Sequence, residues 1–323
     1  MREELLPLLA CPRCRDRVVI WDVRQEIQGL CWEGTLACDG CGASYPIHGG
    51  IPVMSPPGTR ACDWLGETLA LNVETLGIEG TLTAIGDGTI EVFEEDQFER
   101  PVSDVEWQEG EYRGTDEYWE TFSRNRLIEQ QLEVLETFRP QMEEVWLRSD
   151  VLYADCLVDV GAGWGGMLWH LVEYAPRDAL IIALDSSYLA LKTLLGRMIR
   201  GGITNVLPLV GDIGRPPVAT DMADAVVSWY GLGATPFFSR ATSGVAEILA
   251  PGRPMAFAGS PVLEDFAREI DDDLLKNVSL KLDMPRDSRQ MLESIHQAGF
   301  IDGELLEGDP FSIISARLPV RGG

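Results

Sequence analysis

Leu157-Val158-Asp159-Val160-Gly161-Ala162-Gly163-Trp164-Gly165-Gly166 is the stretch that decides the fold. A short apolar run ends in an acid, and a glycine-rich turn then opens into Met167-Leu168-Trp169-His170-Leu171-Val172, which has helical spacing. Glycines let a backbone pass close to a ligand, and the N-terminus of the following helix carries a partial positive charge. The stretch therefore reads as a strand, a nucleotide-binding turn and a helix. Gly161, Gly163 and Gly166 also satisfy the dinucleotide pattern G-x-G-x-x-G, so the turn alone does not choose the nucleotide.

The residues that follow choose it. Asp159 stands two residues before the first glycine, where its carboxylate can reach an amino group or, through water, an amino-acid moiety. Leu180-Ile181-Ile182-Ala183-Leu184 is a buried-type strand ending at Asp185, an acid placed to accept from both hydroxyls of a ribose. Asn205 to Val210 gives a third strand ending in Gly211-Asp212-Ile213, suited to an adenine amino group and ring. A fourth strand is Ala225-Val226-Val227-Ser228-Trp229-Tyr230.

With these residues in order, the chain resembles the class I S-adenosylmethionine-dependent methyltransferases. The matching residues are Asp159-x-Gly161-x-Gly163-x-Gly165, Asp185, Gly211-Asp212, and Glu247-Ile248-Leu249-Ala250-Pro251-Gly252 leading into a fifth strand. Gln297-Ala298-Gly299-Phe300 resembles the turn before the last strands, so the likeness covers roughly residues 115–318. It implies an α/β fold: a Rossmann-like, doubly wound, mostly parallel seven-stranded sheet. It also implies a cofactor site of Asp159, Gly161, Ala162, Gly163, Gly165, Asp185, Ser186, Asp212, Ile213 and Trp229. In that site Asp185 binds the ribose, Asp212 the adenine, and the glycine turn lies under the methionine part.

A second signal lies near the start. Cys11-Pro12-Arg13-Cys14 and Cys38-Asp39-Gly40-Cys41 are two C-x-x-C knuckles with 23 residues between them. Tetrahedral zinc takes four thiolates from two tight turns, and this spacing supplies them with a hairpin between. A redox role needs only one such pair and a βαβ context, which is missing. Cys11, Cys14, Cys38 and Cys41 are therefore the expected metal ligands, and four thiolates leave zinc no open position for catalysis. Leu5-Leu6-Pro7-Leu8-Leu9-Ala10-Cys11-Pro12 and the run from Cys41 to Met54 resemble a small zinc ribbon. That ribbon occurs as a separate activator subunit of methyltransferases and fused ahead of methyltransferase domains such as the ribosomal guanine enzymes.

The expected organisation is a ribbon at 1–58, an acidic insertion or linker at 59–114, and a methyltransferase domain with N-terminal cap helices at 115–323. Net charge is −26, and residues 59–150 hold 23 acids against 7 bases. Counterion release favours a basic face in proteins that grip nucleic acid, so RNA or DNA is a disfavoured partner. A basic patch of Arg13, Arg15 and Arg17 beside the pocket would reverse that, whereas a deep apolar pocket lined by Tyr118, Trp119 and Tyr230 would favour a small-molecule acceptor. A small molecule is the expected acceptor, with RNA or protein as alternatives; a cofactor-holding scaffold without catalysis is the rival of another class. No apolar run of about 20 residues or signal-peptide stretch is present, so the expectation is a cytoplasmic protein without a membrane span.

Further expectations concern local structure. Thr115 to Arg139 reads as an amphipathic helix or pair ended by Pro140, with one more helix from Met142 to Tyr153. Thr81 to Val92 suggests a small hairpin. Cys156 reads as core, His170 as helix surface, Asp271-Asp272-Asp273 as a solvated cluster, and Phe311 to Arg317 as a closing strand. The sequence names no catalytic base.

Overall fold

The computed structural model describes residues 1–55, 79–80, 83–84, 127–235, 237–260, 273, 276, 278–279, 283–308 and 311–321. Most of the acidic segment, Cys62, Tyr118, Trp119, Asp271 and Asp272 lie outside the described residues. Where the alternation suggested a hairpin, Thr83 and Ala84 are helical instead. Thr83 Oγ1 donates to the carbonyl of Glu79 at 2.8 Å, one helical turn back.

The first strands form a four-stranded antiparallel sheet in the order β1-β2-β3-β4: β1 (Val18–Ile27), β2 (Leu30–Cys38), β3 (Ser44–His48) and β4 (Ile51–Pro52). The β1–β2 hairpin carries the intervening residues of the two knuckles. Glycines at its turn (Gly29, φ +79°) and after the second knuckle (Gly42, φ +69°) take a backbone conformation that side chains resist.

The second sheet has seven strands in the order β10-β11-β9-β8-β5-β6-β7. These are β5 (Cys156–Val160), β6 (Leu180–Asp185), β7 (Val206–Val210), β8 (Ala225–Trp229), β9 (Pro254–Gly259), β10 (Ile301–Leu306) and β11 (Ser312–Arg317). β5 to β9 are mutually parallel, while β11 runs antiparallel to β9 and β10 antiparallel to β11. All five residues of β5 and of β7 are buried, as a parallel sheet covered on both faces requires. This is the doubly wound, mostly parallel seven-stranded sheet that the ordered motifs imply. The closing strand is also where the sequence puts it.

Helices cover the faces. On one side lie α2 (Arg139–Arg148), α3 (Gly166–Tyr174) and α4 (Tyr188–Gly201), around Trp146, Leu168, Leu191 and Leu194. On the other lie α5 (Phe238–Ile248) and α6 (Ser288–Gln297), around Phe238, Val245, Met291 and Ile295. α1 (Leu127–Thr137) precedes α2. Pro140 does not end a helix as expected; it sits in the first turn of α2, where its missing N–H has no partner to lose. The run from Met142 to Tyr153 is α2 followed by a short 3-10 turn, Val151–Tyr153.

No helix lies between β7 and β8. The ribbon covers that part of the sheet instead: its Leu36, Ile47 and Met54 share one buried core with Leu207, Leu209 and Val218. The two sheets are also joined edge to edge. Val53 bridges Val210 in parallel, and Met54 N donates to the Val210 carbonyl at 2.8 Å. Leu9 bridges Val218, with Ala219 N donating to the Leu8 carbonyl at 2.8 Å. The free edge that β7 would otherwise expose is paired by the ribbon.

Candidate functional site

In a doubly wound sheet, ligands bind beyond the carboxyl ends of the strands where the strand order reverses. Here that point lies between β5, whose crossovers lead to β6 and β7, and β8, which leads to β9. A cavity of about 470 Å³ opens there, of a size for a nucleoside-sized ligand and more.

Two glycine turns build its floor. A Cβ on Gly231, after β8, would stand 2.7 Å from the Cα of Gly161, after β5. Gly161 also takes φ +71°, so only glycine fits there on both counts. Ser228 ties the turns together: its hydroxyl donates to the Val160 carbonyl at 2.7 Å and accepts from Leu232 N at 2.9 Å. The next residue after the β5 acid, Val160, leads directly into the turn, so the chemistry of Asp159 is set beside it.

Asp159 is 1% exposed, and its Oδ2 has no hydrogen-bond partner although the residue lines the cavity. Burial above all, and then the charge of Asp185, pushes its carboxyl up to about 8. A buried carboxyl oxygen without a partner costs free energy, which a donor on a bound ligand would relieve. Asp185 closes the opposite side. Its Oδ2 accepts from Gly163 N and its Oδ1 from Ser187 N, both at 2.8 Å, which fixes the carboxylate at the cavity wall.

A buried cation props the glycine turn from behind. The Arg197 guanidinium lies 5.0 Å from the Trp164 ring centre and 4.8 Å from that of Trp169, and donates to the Trp164 carbonyl at 3.2 Å. Such stacking holds a desolvated guanidinium without a carboxylate. Trp164 in turn lines the cavity.

Of the residues expected at the cofactor, Asp159, Gly161, Ala162, Gly163, Asp185, Ser186, Ile213 and Trp229 line the cavity together. Gly165 and Asp212 are not among the lining residues. Gly165 takes φ +83° as the N-cap of α3. Asp212 pairs with Arg240 at 2.6 Å and accepts from Gly214 N at 2.7 Å, so its carboxylate organises the loop that presents Ile213. Sequence reasoning missed Phe138, from the α1–α2 junction, and Phe311, from the start of β11. Neither carries a local motif; only the antiparallel insertion of β11 brings Phe311 to the carboxyl edge.

The metal centre is separate. The sulfurs of Cys11, Cys14, Cys38 and Cys41 lie within 4.8 Å of one another, with Cys11–Cys41 at 3.6 Å and Cys14–Cys38 at 3.4 Å. A tetrahedron with zinc–sulfur bonds of about 2.3 Å has edges of about 3.8 Å. The four thiols fit a structural zinc ion, and Tyr45 Oη, 3.1 Å from Cys11 Sγ, supplies a hydrogen bond to a thiolate ligand. Cys156 is buried in β5, its thiol pushed up to about 12 chiefly by burial, as a core residue should be. His170 is also buried, 8% exposed, rather than on the helix surface as expected; it faces Glu136 of α1 at 3.5 Å.

Of the three arginines of the expected basic patch, Arg15 and Arg17 are engaged within the protein, and Arg13 is exposed. Arg15 donates to the carbonyls of Pro216 and Val218, both at 2.6 Å, and pairs with Glu247 at 2.6 Å. Arg17 pairs with Asp39. No helix among the described residues is long and apolar enough to cross a membrane.

Residues 2–50 match the family model described as Trm112p-like protein. A UPF0434 protein of Coxiella burnetii (strain CbuK_Q154) is 43% identical over 60 residues, which are 19% of this chain and 91% of that protein. Among solved structures, a putative S-adenosyl-L-methionine-dependent methyltransferase from Methanococcus maripaludis is similar with a TM-score of 0.47. It is 18% identical and the match covers 66% of this chain and 95% of that one. The [4+2]-cyclase SpnF is similar with a TM-score of 0.45, at 16% identity over 56% of this chain and 81% of that one.

Proposed function

Since this chain belongs to the Trm112p-like family through its N-terminal ribbon, we propose that it is an S-adenosylmethionine-dependent methyltransferase carrying such a ribbon within its own chain. The organisation proposed is ribbon 1–58, acidic insertion 59–114 and catalytic domain 115–323. The observation that carries the reading is Asp159: a buried carboxylate oxygen without a partner, facing a cavity under a glycine turn at the switch point of a doubly wound sheet. An ammonium-bearing ligand supplies the missing donor.

On this reading Asp159 receives the amino group of the cofactor's methionine part, Asp185 its ribose hydroxyls, and Ile213 packs on its adenine. Held by these residues, S-adenosylmethionine would supply a sulfonium methyl as the electrophile for displacement by an acceptor's lone pair, with the sulfide as leaving group. Alignment and exclusion of water are the protein's contribution to such a displacement. The ribbon braces the site, because Met54 holds Val210 and Arg15 holds Pro216 and Val218, the two ends of the loop that carries Ile213.

A small-molecule acceptor is favoured over RNA, since Arg15 and Arg17 are engaged within the protein. The test incubates the protein with S-adenosylmethionine and, separately, the small-molecule, RNA and protein fractions of a cell extract. Formation of S-adenosylhomocysteine is followed by mass spectrometry. Turnover with the small-molecule fraction is expected; turnover with the RNA fraction alone would overturn the acceptor assignment.

A further inference from the structure

The cavity has two chemically different halves. Over β5, β6 and β7 it carries the acids and the glycine turns, Asp159, Gly161, Gly163, Asp185 and Gly211, with Trp164 as its one aromatic among the described lining residues. Over β8 and β11 it is aromatic. Phe311 is the hub, with ring centres 5.3 Å from Phe138, 5.5 Å from Trp229 and 5.5 Å from Tyr230. Phe138 and Trp229 also meet, at 6.1 Å. The contacts of Phe311 with all three neighbours are edge-on. The boundary between the halves is the Gly161–Gly231 contact.

Tyr230 stands at that boundary in a costly conformation. Its φ is +70°, a left-handed backbone that bulky residues rarely adopt. The strain is held by its N–H donating to the Ala258 carbonyl at 2.7 Å and its carbonyl accepting from Ala234 N at 3.0 Å. Strain of this kind persists where the surroundings over-determine it, and it concentrates at ligand sites. Among the described lining residues, the ionised or ionisable acids are Asp159 and Asp185, and there is no lysine, arginine or histidine.

We propose that the aromatic half is the acceptor subsite and that it takes a neutral or cationic planar aromatic compound while refusing anionic ones. The proposal rests on the methyl-transfer reading and adds the acceptor class to it. Ring faces and edges supply flat apolar contact, and they attract cations. An anion would meet ring faces of negative potential with the Asp185 carboxylate across the cavity, and would lose its hydration with no counter-charge among the described lining residues. Phosphorylated and carboxylated acceptors are thereby disfavoured at the methyl-receiving end.

The test titrates three bicyclic probes of similar size into the zinc-loaded full chain, with and without S-adenosylhomocysteine. The probes are quinoline, 1-methylquinolinium and 2-naphthoate, followed by calorimetry. Quinoline and 1-methylquinolinium are expected to bind at least about tenfold more tightly than 2-naphthoate, about 1.4 kcal/mol. Phe311→Leu and Tyr230→Leu are expected to remove that preference while S-adenosylhomocysteine affinity stays within about twofold. Naphthoate binding as tightly as quinoline would overturn the proposal, as would variants that lose nucleoside and probe together. Failure of S-adenosylhomocysteine alone to bind would sink the methyl-transfer reading, and the ranking of the three probes on the unloaded protein would still decide the aromatic site.

Discussion

Replacing Asp159 by Asn is expected to move stability and cofactor affinity in opposite directions. The carboxyl is pushed up to about 8 in the folded chain, first by burial and then by Asp185, against about 3.9 in an unfolded one. Between those values the folded protein holds a proton that the unfolded chain has lost. Stability from this group is therefore fully present below about pH 4 and is lost as pH rises through about 8. At about 1.36 kcal/mol per unit, the shift sets an upper bound of about 6 kcal/mol on that loss. Asn does not titrate, so the difference in melting temperature, variant minus wild type, should grow between about pH 5 and pH 8.5. At the upper end a gain of at least about 3 °C is expected, since one kcal/mol is worth about 2–4 °C in a large domain. Taking the difference cancels groups common to both proteins, including the cysteine cluster. Affinity for S-adenosylmethionine should fall about tenfold or more, the worth of a hydrogen bond to a charged group. In the wild type the same affinity should rise from pH 6 towards 8, because binding an ammonium favours the ionised acid. Differential scanning fluorimetry and calorimetry read both quantities. A melting difference that stays flat across the pH range, or a variant that binds the cofactor as the wild type does, would refute the reasoning.

Gly231→Ala places a methyl 2.7 Å from Gly161 Cα, backbone against backbone, so the two turns must part. A loss of about 1–3 kcal/mol in denaturant unfolding is expected, with cofactor binding reduced below that of a surface Gly→Ala control. Arg15→Met removes two hydrogen bonds from the ribbon to the loop of Ile213 and an ion pair to Glu247 of α5. Hydrogen exchange at residues 211–218 should quicken while zinc content stays at one per chain. Stripping the metal with a chelator should lower the melting temperature by several degrees, because binding at a four-thiolate site is folding free energy. Metal analysis should return zinc, and restoring it should restore the melting curve.

The sheet was legible because each parallel strand is a short apolar run with a chemically distinctive end: Asp159 and the glycine turn after β5, Asp185 after β6, Gly211 after β7. The four cysteines were legible for the same reason, since ligand spacing is local. What escaped is long-range. Nothing local in Ile51-Pro52-Val53 says that it pairs with Val210, or that the ribbon replaces a covering helix between β7 and β8. Arg15 reads as one of three surface arginines until the fold brings Glu247 and two carbonyls to it. Nothing local in Gly211-Asp212-Ile213 says that Arg240 lies beside Asp212. Pro140 reads as a helix stop because a proline that opens a second helix has the same local sequence signature. His170 lies on a helix whose neighbour α1 buries it, and a helical period alone does not reveal the neighbour.

The most direct test of the central claim is calorimetric titration of the folded, zinc-loaded chain with S-adenosylmethionine and S-adenosylhomocysteine, beside Asp185→Ala. One site per chain with micromolar affinity for both, weakened about tenfold or more in the variant, is the expected result. No binding of either nucleoside by the folded, metal-loaded protein would contradict the account.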